Sequence, residues 1–327
     1  MGNEETLEAT VTEGPLPVVA EESTQSPIKD YEGVAPSTLL PIVVSSLEQA
    51  KLLDTTGISG GNELSRSAMY RNPDQSNFLR DHVGKLSVDA KLNVLNIGPA
   101  NLEEATVVGV LASNSGMLDR TEITYVDILP VENVKPISDL GKNFTGYPIA
   151  PARADLKGYV FEGGSWHPAE PVQKFVADTL KKPGSYWGTA VEDYCSKDDP
   201  RKYALVTLNN VAQYLGQGVV KYDNPFYQPE GNFSSFQAVI LSVAEKTDMN
   251  GLLFASISPG IAGKADRGVD RRAVDKYLRE GTNFDDIFDT LNPVSGIYRR
   301  KSTEPLVIKK PLSNAPSTGK IASNGIK

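Results

Sequence analysis

Two short apolar runs with one helical stretch between them constrain this chain more than any other feature. Leu92-Asn93-Val94-Leu95-Asn96-Ile97 has the composition of a buried strand, Glu103 to Ser113 carries helical spacing, and Ile123-Thr124-Tyr125-Val126 is strand-like again, ending at Asp127. A strand, a helix and a strand in so short a span form a βαβ unit, which requires parallel strands. The pattern resumes farther on. Tyr203-Ala204-Leu205-Val206-Thr207 reads as a strand, Phe233 to Thr247 as a helix, and Leu252-Leu253-Phe254-Ala255-Ser256 as a strand after a turn at Asn250-Gly251. Alternation of this kind predicts an α/β fold with a largely parallel, doubly wound sheet. Residues 131 to 190, crowded with Gly, Pro and aromatics, fit poorly and are expected as an irregular or small β insertion. There is no internal repeat, which argues against solenoids and propellers.

Charge marks off the ends. Residues 1 to 32 hold eight acids and one base, and residues 299 to 327 hold one acid and seven bases, while the net charge of the 327 residues is −8. Residues 1 to 36 and 303 to 327 lack the apolar content to offset ordering entropy, so both are expected as disordered tails around one domain over 37 to 302. The acidic balance argues against a nucleic-acid partner, which calls for a basic surface. One cysteine, Cys195, rules out an internal disulfide, and with only His82 and His167 beside it there is no Cys/His set with metal-ligand spacing. No apolar run near the N-terminus is long enough for a signal or a span, so a soluble, cytoplasmic protein with no membrane partner is expected.

In an open α/β sheet the ligand lies beyond the carboxyl ends of the strands. Two residue groups mark that edge. Gly98 follows the first strand directly, where a missing Cβ lets the backbone approach a ligand, and Glu103-Glu104 open the next helix. Asp127 ends the second strand, where a carboxylate can accept from both hydroxyls of a ribose. Each has an ordinary structural explanation in turn or helix-start chemistry; the spacing of the set points to a nucleoside site. The loop reads Gly98-Pro99-Ala100-Asn101-Leu102-Glu103, without a G-x-G-x-x-G turn to seat a pyrophosphate, which disfavours a dinucleotide oxidoreductase. A nucleoside without phosphates, such as S-adenosylmethionine, suits it better.

A family resemblance follows from motifs in order along the chain. Ser67-Ala68-Met69-Tyr70-Arg71-Asn72-Pro73-Asp74-Gln75, with Phe78-Leu79-Arg80-Asp81-His82-Val83 after it, resembles the T-x-F-F-R-(D/N)-P motif of the CheR-type chemoreceptor-glutamate methyltransferases. Gly98 to Ala105 is similar to that family's first cofactor loop, Val126-Asp127-Ile128 to its T-D-I-D element, and Leu208 to Leu215 to its C-R-N-V-x-I-Y-F segment. Gly251 to Ser256 resembles its G-G-L-L strand and Gly296 to Lys301 its closing T-x-Y-R-K strand. The resemblance covers residues 63 to 301. It implies a Rossmann-like methyltransferase sheet of seven strands, the last antiparallel, and S-adenosyl-L-methionine as cofactor. It also implies roles: Ser67 and Arg71 near the methionine end, Glu103 or Glu104 near the amino or ribose groups, Asp127 on the ribose, Asn210 near the adenosine, and Tyr214 by the transferring methyl.

Four departures stand out. Ser67 to Arg71 replaces T-x-F-F-R, Leu102 replaces the loop glycine before the two acids, Leu129 replaces the second acid of T-D-I-D, and Asn209 replaces the arginine of C-R-N. Asparagine cannot supply the cationic fork that orients a carboxylate, so Asn209 and Tyr214 are expected beside a neutral, unidentified acceptor, a small molecule or a protein, rather than a receptor glutamate. Displacement at a sulfonium rests on positioning and exclusion of water, so a shortage of histidine is no obstacle. His167, in Gly163-Gly164-Ser165-Trp166-His167-Pro168, reads as an exposed loop residue. A catalytically silent relative that binds cofactor or a partner through the same fold is the alternative reading.

Overall fold

The computed structural model describes residues 33–49, 73–99, 102–134, 136–141, 145–151, 153–197, 199–209, 233–256 and 271–310. Ser67, Arg71, Asn210 and Tyr214, together with residues 1–32 and 311–327 of the expected tails, lie outside them.

The expected βαβ unit is present: β1 is Leu92–Ile97, the helix Glu103–Asn114 follows, and β2 is Thr121–Asp127. β1 and β2 run parallel from Leu92↔Thr121 to Ile97↔Val126. β1 carries apolar groups toward both faces, Leu92 and Val94 into one core cluster and Leu95 and Ile97 into the other. That is why its sequence reads as a run rather than an alternation. Strands β3 (Tyr159–Glu162) and β4 (Ser165–Pro168) form a separate antiparallel hairpin, and β5 is Tyr186–Gly188, β6 Tyr203–Thr207, β7 Thr247–Phe254, β8 Phe288–Asn292 and β9 Ile297–Arg300. The main sheet has seven strands in the order β5-β2-β1-β6-β7-β9-β8, parallel up to β7, with β9 antiparallel to both β7 and β8. The doubly wound, Rossmann-like α/β sheet of seven strands, its last strand antiparallel, is therefore as expected.

Helices cover both faces. In chain order they are α1 (Pro36–Gln49), α2 (Pro73–Val83), α3 (Glu103–Asn114), α4 (Glu170–Lys181), α5 (Val191–Ser196), α6 (Phe233–Glu245), α7 (Arg271–Arg279) and α8 (Phe284–Ile287). Leu39 and Leu40 of α1 share one cluster with Tyr194 of α5, residues 238–241 of α6 and Leu278 of α7. Leu79 of α2, Val107 and Leu111 of α3, and Val172 and Val176 of α4 make the cluster on the other face.

Four expectations are corrected. The 131–190 segment is not wholly an insertion: α4 and β5 belong to the doubly wound pattern, with Tyr125↔Tyr186 pairing β5 to β2, and only the hairpin and short turns before them depart from it. His167 is not an exposed loop residue but half-buried in β4, Nδ1 against the Ser138 carbonyl at 2.9 Å and Nε2 against the Glu162 carbonyl at 3.0 Å. Asn250-Gly251 is an irregularity inside β7 rather than a turn before it, since pairing with β6 slips between Tyr203 and Leu205. A Cβ at Gly251 would come within 2.9 Å of the Asp248 carbonyl and 3.0 Å of that of Tyr203, so only glycine fits. Finally, packing continues past residue 302. Leu306 and Ile308 are buried, Ile308 bridges to Val34 and Thr282, and Arg300 donates to the carbonyls of Ser302 (2.8 Å) and Glu304 (2.7 Å).

Candidate functional site

The chain winds outward from β1 in both directions, toward β2 and β5 on one side and toward β6 and β7 on the other, so strand order reverses between β1 and β6. Open α/β sheets bind ligands beyond the carboxyl ends of their strands at such a point. Here those ends are Ile97-Gly98, Asp127 and Thr207 to Asn209.

Gly98 has φ of +62° and donates its N–H to the Val126 carbonyl at 2.8 Å, which ties the β1 exit to β2. The chain then turns into α3 through Leu102, whose N–H donates to the Pro99 carbonyl at 2.7 Å. Leu102 occupies the left-handed region, φ 62° and ψ 27°, and is fully buried. The backbone here has a shape suited to glycine, and a leucine occupies it. The left-handed region costs a non-glycine residue about 1–2 kcal/mol, and burying the leucine side chain offsets it.

Three acids gather at this edge, Glu103 and Glu104 in the first turn of α3 and Asp127 at the end of β2, all buried. The α3 N-terminus favours negative charge there. Asp127 accepts from the Leu129 N–H at 3.0 Å. Beside it, Tyr186 of β5 donates its hydroxyl to the Leu129 carbonyl at 2.7 Å. Burial chiefly, then the charges of Asp127 and Glu132, push the Tyr186 hydroxyl above the usual tyrosine range.

Glu104 joins a buried polar floor. Its Oε2 accepts from Asn96 Nδ2 at 2.5 Å and its Oε1 from Asn209 Nδ2 at 2.7 Å, while Asn96 also donates to Thr207 Oγ1 at 2.7 Å. Asn209 and Gln75 form a reciprocal amide pair: Asn209 donates to Gln75 Oε1 at 2.9 Å and Gln75 donates to Asn209 Oδ1 at 3.1 Å. Ser256 Oγ donates to Asn209 Oδ1 at 2.8 Å. Asn209, expected to face the methyl acceptor, thus has both ends of its amide committed to protein groups. Of the expected site residues that are described, Gly98, Glu103, Glu104, Asp127 and Asn209 converge at this edge. Gln75, Asn96, Ser256 and Tyr186 are the members that sequence reasoning missed. Asn96 left a trace as one of two asparagines in a largely apolar strand, and Gln75 and Ser256 close two of the motif segments quoted above without a role of their own; Tyr186 left none.

The donor set bears on the ligand. Buried carboxylates suit hydroxyls and positive charge, as in the ribose, ammonium and sulfonium of S-adenosylmethionine, and oppose phosphates. Among the described residues no group of His, Cys, Asp and Glu is placed to hold a metal ion, and no helix is long and apolar enough to cross a membrane.

No protein-family model and no curated protein matches the chain. Among solved structures, the N-methyltransferase NodS from Bradyrhizobium japonicum WM9 aligns at 11% identity over 71% of this chain and 98% of its own, with a TM-score of 0.35. An O-methyltransferase family protein from Burkholderia thailandensis aligns at 10% identity over 82% and 72% (TM-score 0.34). A putative O-methyltransferase from Nostoc punctiforme PCC 73102 aligns at 13% over 81% and 70% (TM-score 0.30). At such low scores the fold rests on the strand order itself, and activity has to be derived from the site.

Proposed function

We propose that this chain is an S-adenosylmethionine-dependent methyltransferase whose cofactor lies across the carboxyl ends of β1 and β2. The observation that carries the reading is one juxtaposition: in a seven-stranded sheet whose last strand alone is antiparallel, a glycine in the left-handed region leaves β1 and buried acids open α3 and close β2. When bound, the cofactor would supply an electrophilic methyl on a sulfonium. The chain's own residues bind and orient. Asp127 accepts from the ribose hydroxyls, Gly98 admits close approach of the backbone, and Glu103 or Glu104 lies near the amino or ribose groups. Ser67, Arg71, Asn210 and Tyr214 keep the parts that the family resemblance implies, with Tyr214 beside the methyl.

The finer reading is a CheR-like enzyme, cytoplasmic, that methylates an unidentified neutral acceptor. Asn209 in place of arginine supports the neutral acceptor alone, because no cation at that position draws in a carboxylate. The commitment of the Asn209 amide to Gln75, Glu104 and Ser256 gives weight to a second reading, a silent relative that retains cofactor binding. Calorimetry with S-adenosylmethionine tests the shared part: Asp127→Ala should weaken binding by about 1.5–3 kcal/mol, the size of a bond to a charged group. Equal affinity in the folded variant would remove Asp127 from the site. Incubation with methyl-labelled cofactor and mild base separates the finer readings. Label released as methanol from a chemoreceptor fragment would restore the family's own reaction, and binding without transfer to any acceptor would support the silent relative.

A further inference from the structure

Gln75 belongs to none of the groups expected to touch cofactor or acceptor, yet it sits at the centre of the polar floor. It lies in the first turn of α2 and is fully buried. Besides the reciprocal pair with Asn209, its Nε2 donates to the Ser295 carbonyl at 2.9 Å and lies 3.3 Å from Ser256 Oγ. One side chain therefore ties α2 to the ends of β6 and β7 and to the turn that enters β9. The preceding residue reinforces this, since Asp74 Oδ2 accepts from Asn292 Nδ2 and Ser295 Oγ, both at 3.0 Å.

The polarity of the pair has a consequence for Glu104. An amide has distinct donor and acceptor ends. The Ser295 carbonyl, an acceptor only, fixes Gln75 Nε2 on its side; with Nε2 also against Asn209 Oδ1, Asn209 Nδ2 is left to donate to Gln75 Oε1 and Glu104 Oε1. We infer that Gln75 is a positioning residue for the cofactor crevice: its amide fixes the orientation of Asn209, and Asn209 in turn holds the Glu104 carboxylate at the mouth of β1. This rests on the methyltransferase reading of the site and adds a residue to it. Bulk at position 75 is then not enough; a donor must face Asn209.

Gln75→Glu preserves shape and removes that donor, and Gln75→Met removes both polar ends. The carboxyl group introduced by Gln75→Glu is buried, so it takes up a proton well above the usual carboxylate range and regains an O–H that can donate to Asn209 Oδ1. Affinity for S-adenosylhomocysteine, measured by calorimetry on the full chain at about pH 8 and about pH 6, reads the difference. Gln75→Glu is expected to bind about tenfold more weakly than the parent at the higher pH and to return to within about threefold at the lower, while Gln75→Met stays weak at both, a difference of about 1.4 kcal/mol at tenfold. Variants that fold and bind like the parent, or that weaken equally with no recovery at low pH, would overturn the inference and leave Gln75 a packing residue. Should Gln75→Glu not fold, Asn209→Asp must show the same pH recovery, because it loses the donor that Glu104 accepts from; its absence would equally overturn the inference. A parent that binds no S-adenosylhomocysteine would instead bring down the methyltransferase reading, and this inference with it.

Discussion

Replacing Leu102 by alanine and by glycine should give stabilities in the reverse of their usual order. Elsewhere in an element, glycine is less stable than alanine by about 0.5–1 kcal/mol, because the unfolded chain gains freedom. Leu102 is fully buried, so either truncation forfeits packing, and the alanine variant should lose about 2–5 kcal/mol. At φ 62° and ψ 27° alanine retains the clash of Cβ with the backbone, about 1–2 kcal/mol, and glycine is relieved of it. Set against glycine's entropic cost, the relief leaves Leu102→Gly about 0.5–1 kcal/mol more stable than Leu102→Ala. Urea denaturation of both variants, compared at constant slope, measures the difference as a shift in midpoint. An alanine variant more stable than the glycine one would refute the left-handed assignment. The glycine-like shape of the turn between β1 and α3 would fall with it.

Three further outcomes follow from burial and charge. Burial first, then the charges of Arg299 and Lys85, lower the pKa of His82, so the unfolded chain binds the proton more readily; stability should be full above about pH 6.5 and fall as pH drops below it. His82→Gln should flatten that part of the stability–pH curve, and an unchanged slope would place the titration elsewhere. Leu306→Ala should cost about 2–5 kcal/mol, and at about 2–4 °C per kcal/mol the melting temperature should drop clearly, whereas exposed Lys309→Ala should stay within about 0.5 kcal/mol of the parent. Arg300 donates to Glu245, Thr247, Ser302 and Glu304, and the Glu245 carboxylate keeps Lys202 Nζ at 3.3 Å and the Leu306 N–H at 2.8 Å, so Arg300→Met should cost about 1–3 kcal/mol, chiefly through the buried carbonyls left without a donor; a melt like the parent's would show that residues 303–310 need no such anchor.

The parts of the fold that the sequence disclosed are those where local composition and burial agree. β1, β2 and β6 are buried on both faces, so each had to be an apolar run. α4 was hidden because its buried residues, Val172, Val176 and Thr179, lie among prolines, lysines and aromatics that resemble loop composition. Leu306 and Ile308 were hidden for a similar reason, two buried side chains in a basic, proline-bearing stretch. Asn250-Gly251 carried a turn signature that is locally correct, but three backbone carbonyls, two of them from β6, make it a strand irregularity. At the site, Gly98, Glu103, Glu104 and Asp127 were legible because each sits at a fixed offset from a strand end. The Gln75–Asn209 pair was not, because 134 residues separate its members and a hydrogen bond between distant amides leaves no periodicity.

The central claim, that a nucleoside without phosphates lies at the carboxyl ends of β1 and β2, is tested most directly by a crystal structure of the full chain with S-adenosylhomocysteine. Ribose hydroxyls are expected within hydrogen-bond distance of Asp127, about 2.5–3.2 Å, with the ligand passing Gly98 on its way to the mouth of α3. Ligand density elsewhere on the molecule, with no ribose oxygen within reach of the Asp127 carboxylate, would contradict it.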